Sequence, residues 1–210
     1  ILYYERCKTL YLKIFLLQFN KFSPINFRPY FNIQKDISLK AISLFSQAYA
    51  NLYNITQDKK YFEEMQKCIQ FIKENSLNEY YRYDCWASHY YPYININKST
   101  LSIKSPDIIG TSNAIIALIK SYQITKNNDE KKMAFSGIQF LINRFLIEKQ
   151  DICYFCYSES SISKNFFILN ASAQAIEAIS SFLNLENNKE LQSICENVSQ
   201  MLIQTQRNDG

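Results

Sequence analysis

The sequence predicts an all-α fold assembled from αα-hairpin repeats, and three observations carry that expectation. A long helix rich in small and apolar residues (an A helix) recurs at Ser38–Asn54, Ser112–Thr125 and Asn170–Leu185, each time followed by a polar turn and a second, amphipathic B helix. The turns align with one another: Tyr53-Asn-Ile-Thr-Gln-Asp58, Tyr122-Gln-Ile-Thr-Lys-Asn127 and Phe182-Leu-Asn-Leu-Glu-Asn187. With 3 Gly and 4 Pro in 210 residues, the chain lacks the turn chemistry of an all-β fold or of a Gly-rich phosphate loop. At 47% hydrophobic it has ample material for one core. A repeated αα-hairpin cannot bury its own apolar face, so the copies must stack.

In chain order, Tyr3 to Leu17 carries the amphipathic set Tyr4, Cys7, Tyr11, Ile14 and Phe15, which assigns it to a hairpin preceding the three repeats. The first A helix spreads Ala41, Leu44, Phe45, Ala48, Tyr49 and Leu52 around most of its circumference. Its B helix has one stripe, Met65, Cys68, Ile69 and Ile72. The second A helix is nearly continuously apolar from Ala114 to Ile119, and the third alternates small and aliphatic residues from Ala171 to Ile179. The last B helix again shows one stripe, through Leu191, Ile194, Cys195, Val198, Met201 and Leu202. Helices apolar on most sides are buried on most sides. The A helices are therefore expected inside and the B helices outside, the pattern of an α/α toroid. By simple repetition, a six-hairpin ring needs roughly 350–400 residues. The expectation is a single domain over residues 1–210, incomplete at both ends and forming part of an (α/α)6 toroid. An open solenoid is the alternative, disfavoured by the long B-to-A connections.

The net charge of +4 is small, and the lysines are interspersed with glutamates, so no nucleic-acid partner is expected. No apolar run is long enough for a membrane span. The cysteines, at positions 7, 68, 85, 153, 156 and 195, are widely spaced; Cys68 and Cys195 fall on apolar helix faces as buried thiols. This usage points to a reducing, cytoplasmic setting. Sequons at Asn54, Asn97, Asn170 and Asn197 are expected by chance in so Asn-rich a chain.

Two long connections stand out. Ser76 to Gly110 holds Tyr80, Tyr81, Tyr83, Cys85, Trp86, Tyr90, Tyr91 and Tyr93, together with the sole histidine, His89. Glu148 to Leu169 holds Tyr154, Phe155, Cys156, Tyr157 and Glu159. Both join a B helix to an A helix, so hairpin topology puts them at the same rim. Sugar rings stack C–H faces on aromatic rings and need convergent polar groups for their hydroxyls. Trp86, Tyr90, Tyr91 and Tyr157 are the candidate stacking residues. Arg28, ahead of the first A helix, is a candidate for an anionic sugar or phosphate. Glycoside hydrolysis needs two carboxylates about 5–10 Å apart. The rim acids are Asp84, Asp107, Glu159 and Asp209, with Asp107 and Asp209 suited to capping and turn roles. Asp84, Glu159 and His89, which titrates near neutrality, are the candidate catalytic groups. Cys85-x3-His89 with Cys153-x2-Cys156 is a formal zinc set. An extended backbone would point Cys153 and Cys156 to opposite faces, so no metal or cofactor is expected. No nucleophile elbow or Ser/His/Asp signature is present.

An ordered set of segments resembles a family of six-hairpin toroid proteins found in polysaccharide-biosynthesis clusters. The set is Asn26-Phe-Arg-Pro29, Asp84-Cys-Trp86, Ser105-Pro-Asp-Ile-Ile-Gly-Thr-Ser112, Phe155-Cys-Tyr-Ser158, Asn170-Ala171 and Gln206-Arg-Asn-Asp-Gly210. The resemblance implies the (α/α)6 toroid shared by many glycoside hydrolases and sugar epimerases. It also implies a glycan or sugar-precursor ligand and polysaccharide-biosynthesis proteins as partners. The family continues Cys-Trp with Gly-Tyr-Asn-Phe-Asp-Trp-Gln, where this chain has Ala87-Ser-His-Tyr-Tyr-Pro-Tyr93 and so lacks the acid. Two functions stay open: an enzyme acting on a glycan or sugar precursor, and a non-catalytic scaffold or binding protein of a polysaccharide-assembly system.

Overall fold

The computed structural model describes residues 10–27, 29–30, 37–88, 105–149, 152–159 and 167–206. Contacts divide the chain into two compact units, Ile1–Ile37 and Ser38–Gly210. In the first, helix α1 (Leu10–Phe22) runs beyond the Leu17 end expected from apolar spacing. Ring contacts link Phe15 to Phe19, Phe19 to Phe27 and Phe27 to Tyr30, with centroids 6.2, 5.3 and 6.2 Å apart.

The second unit contains three αα-hairpins: α2 (Leu39–Thr56) with α3 (Lys59–Glu74), α4 (Ile108–Thr125) with α5 (Asn128–Phe145), and α6 (Leu169–Leu183) with α7 (Lys189–Thr205). The A helices α2, α4 and α6 pack on one another in sequence, and each B helix lies mainly on its own A helix. Small buried residues make the A–A approach possible: Ser43, Ser46 and Ala50 on α2, Ala114, Ala117 and Ser121 on α4, Ala171, Ala175 and Ala178 on α6. Helix α4, flanked on both sides, is buried from Ile108 to Ile119 except at Ile109. The B helices bury single stripes, Met65, Ile69 and Ile72 on α3, and Leu191, Ile194 and Val198 on α7.

Four expectations need correction. Helix α2 is not buried all round. Leu44 is 47%, Phe45 56% and Leu52 38% exposed, because within this unit α2 has an A-helix neighbour, α4, on one flank only. Helix α4 begins at Ile108 rather than Ser112. Asp107 is its N-cap, its side chain accepting from the Gly110 N–H. Gly110, expected as the last residue of the connection, is a close-approach glycine within the helix: a Cβ there would lie 2.7 Å from the Ser88 nitrogen and 2.9 Å from the Ala87 carbonyl carbon. The second connection is not all loop. Strands β1 (Leu146–Lys149) and β2 (Ile152–Phe155) form an antiparallel hairpin pairing Leu146 with Phe155 and Glu148 with Cys153.

The fourth correction concerns the third turn. The first two A-to-B turns share one geometry. Gln57 (φ 57°) and Lys126 (φ 58°) adopt the left-handed conformation; the Gln57 N–H donates to Tyr53 O and the Lys126 N–H to Tyr122 O, both at 2.8 Å. Asp58 and Asn127 then cap the next helix. The third turn has no left-handed cap, and its N-cap is Asn188, one residue beyond the aligned position. Among the described residues no helix is long and apolar enough to cross a membrane.

Candidate functional site

The two B-to-A connections meet at one end of the hairpin array. Asp107 and Ser158 form an isolated antiparallel bridge, and the Ile108 N–H donates to Tyr157 O at 3.1 Å. This is the shared rim that hairpin topology requires.

Asp107 organises the junction. It is 8% exposed, and its carboxylate accepts from Ser88 N (2.7 Å), Ser88 Oγ (2.6 Å) and Gly110 N (2.8 Å). A carboxylate taking three buried donors is a strong anchor. It ties the end of the first connection to the start of α4, so its role is positional.

The same clasp occurs in both connections. The Thr111 hydroxyl, on the fourth residue of α4, accepts from Trp86 N and donates to Trp86 O, both at 3.1 Å. The Ser172 hydroxyl, on the fourth residue of α6, accepts from Phe155 N at 3.0 Å and donates to Phe155 O at 3.3 Å. Helices α4 and α6 thus each hold both backbone polar groups of a fully buried aromatic residue from the connection before it. Sequence reasoning missed this clasp; its signal was a hydroxyl one turn into each of these A helices.

Trp86 is the main correction among the candidate stacking residues. Its side chain is 0% exposed and its indole N–H donates to Ile72 O at 2.8 Å, so no ring face is available to a sugar. Asp84 is half-buried, and its Oδ1 accepts from Ser76 Oγ (2.7 Å) and Asn78 Nδ2 (3.0 Å). Its own N–H donates to Ser136 Oγ at 2.8 Å. Glu159 is ion-paired with Arg144. Both carboxylates lie near Cys85, whose thiol is pushed far up, first by burial and then by the charges of Asp84 and Glu159. Burial, followed by Glu159, also raises Tyr81. Tyr157 is half-buried and packs against the core. Arg28, His89, Tyr90 and Tyr91 lie outside the described residues, as does Asp209.

The sulfur groups do not converge. Cys156 Sγ, fully buried, donates to Ser158 O at 3.4 Å, and Cys153 Sγ lies 3.9 Å from Glu148 Oε1 across the hairpin. Among the described residues no three His, Cys, Asp or Glu side chains form a cluster able to hold a metal ion.

Beside the junction, the segment after α3 and the last turn of α5 enclose a cleft of about 300 Å3. Tyr80, Tyr81, Arg82 and Tyr83 line one side, and Phe140, Asn143 and Arg144 the other.

No protein-family model matches this chain, and no curated protein matches it. Solved structures do. An inactive variant of an α-1,6-mannanase of Salegentibacter sp., in complex with α-1,6-mannotriose, superposes with a TM-score of 0.65 at 10% identity, over 82% of this chain and 49% of that one. A cellobiose 2-epimerase from Bacillus thermoamylovorans gives 0.66 at 10% identity, over 80% and 45%. A D-mannose isomerase gives 0.57 at 17% identity, over 78% and 39%. These are six-hairpin (α/α)6 toroids, and this chain shares their fold. It spans less than half the length of each of the three.

Proposed function

We propose that this chain is the carbohydrate-recognising part of an α/α-toroid protein that binds a glycan or sugar precursor at the rim where its two long connections join. The observation that carries the reading is the Asp107–Ser158 junction, which brings two tyrosine-bearing connections to one end of a toroid-type array. The similar structures support a sugar ligand by their own names: a mannanase holding mannotriose, an epimerase and an isomerase. The resemblance of the ordered segments supports a place in polysaccharide assembly. Five described cysteines, all free thiols, support a reducing, cytoplasmic setting.

Binding is preferred to turnover for a specific reason. Asp84 is held by Ser76 and Asn78, Glu159 by Arg144, and Asp107 by Ser88 and Gly110. A general acid and base pair needs carboxylates that can reach the scissile bond, whereas these three of the four rim acids are engaged by neighbouring protein groups. A glycan array followed by calorimetric titration and product analysis tests the reading. Saturable binding with no new sugar product is expected. Absence of binding to every glycan would overturn the proposal, and a new product would replace it with the enzymatic alternative.

A further inference from the structure

We propose that the cleft beside the junction is a binding site for an acidic saccharide unit, on the B-helix side of the rim. The proposal rests on the glycan reading above and deepens it by naming the ligand's charge and the residues that hold it.

No lining residue comes from an A helix, so the cleft lies on the B-helix side of the same rim, and its Arg144 pairs with Glu159, the residue after the bridging Ser158. Its volume of about 300 Å3 lies at the lower end of small-molecule sites (about 300–1,000 Å3), which suits one sugar unit rather than a long chain. Aromatic surface is supplied by Tyr80, 59% exposed, and by the half-buried Tyr81 and Tyr83. Tyr81 is fixed by edge contact with buried Phe140, centroids 5.7 Å apart at 85°, so part of the aromatic surface is preformed.

The polar groups choose between neutral and acidic sugars. Asn143 donates its Nδ2 to Gln139 O at 2.7 Å, which leaves its amide oxygen to accept from a sugar hydroxyl. Arg144 is taken by Glu159. Arg82 is exposed, stands 6.0 Å from the Tyr83 ring centroid and makes no ion pair among the described residues. A guanidinium over a ring keeps its N–H edge for a planar, bidentate acceptor. The carboxylate of a uronic acid offers that geometry, with the sugar's C–H face against tyrosine.

The test is calorimetric titration of the whole chain with trigalacturonate and, as neutral control, maltotriose, in the wild type and in Arg82→Gln and Tyr80→Ala. Both substituted residues are exposed, and thermal melting checks that the variants fold. Preference for trigalacturonate is expected, together with weakening as salt is raised. Arg82→Gln should lose about 10-fold in affinity for the acidic sugar and much of its salt dependence. Tyr80→Ala should weaken both sugars. If neutral sugar binds as well as acidic, or Arg82→Gln changes nothing, this inference fails and the rim reading survives. If neither sugar, nor any glycan on the array, binds, both fail.

Discussion

Residues 77–83 and 84–88 are neighbours in one connection, both carry aromatic residues, and they differ in burial. The first stretch turns back on itself, with the Tyr80 and Tyr81 N–H groups donating to Leu77 O, and it leaves Tyr80 and Arg82 exposed. The second buries Cys85, Trp86 and Ser88. The difference lies in where the partners are. In the first stretch the Tyr80 and Tyr81 backbone bonds stay within a few residues, and Tyr81 packs its ring edge-on against Phe140. Trp86 is bonded to Ile72 and Thr111, and Ser88 to Asp107, groups 14, 25 and 19 residues away. An aromatic-rich loop is therefore no guide to exposure: Trp86, bonded to distant residues, is sealed, while Tyr80 in the same connection stays exposed.

The sharpest contrast is between the two aromatic residues themselves. Trp86→Ala removes a fully buried ring and its hydrogen bond to Ile72 O, and should cost about 3–5 kcal/mol in urea unfolding. Tyr80→Ala, at an exposed position, should stay within about 0.5 kcal/mol. Equal losses would erase the distinction. Next comes the junction. Asp107→Ala leaves the buried Ser88 and Gly110 donors without their acceptor and should cost about 2–3 kcal/mol. It should also make Trp86 more accessible to quenchers than in the wild type.

Buried hydroxyls offer a smaller, paired comparison. Ser172→Ala unclasps Phe155 and should cost about 1–2 kcal/mol. Ser46 is equally buried but makes no side-chain hydrogen bond among the described residues. Ser46→Ala should therefore be neutral or stabilising by up to about 1 kcal/mol.

The thiols supply the smallest effect. Burial, with Glu148 for Cys153 and Glu196 for Cys195 adding repulsion, pushes each of these thiols from 9.0 up to about 11. The unfolded chain loses those protons first. The stability they contribute is complete below pH 9.0 and should decline as pH rises to about 11. Cys85, in the sealed stretch, is pushed higher still. Alkylation mapped by mass spectrometry over this pH range should reach Cys153 and Cys195 before Cys85.

How much of this was legible varies with distance along the chain. Apolar spacing located the three hairpins and the inner and outer helix roles because periodicity is local. Two A-to-B turns were legible for the same reason, a Thr followed by a left-handed residue and an Asp or Asn cap. The third escaped because Asn187 and Asn188 are equivalent as letters, and only Asn188 caps. The early start of α4 was hidden behind Gly110, whose role depends on backbone more than twenty residues earlier. Four-residue strands between helices carry too little pattern to distinguish from loop. Trp86 was mistaken for a contact residue because nothing near it in sequence announces Ile72 or Thr111.

Trp86 is the only tryptophan in the chain, so its fluorescence reports the sealed stretch without labels. Iodide quenching of the native protein is the most direct measurement. Blue-shifted emission that iodide leaves nearly unchanged, becoming quenchable on unfolding in urea, is the expected result. Emission at the wavelength of free tryptophan, quenched by iodide in the native state, would contradict the joined and sealed rim on which the account depends.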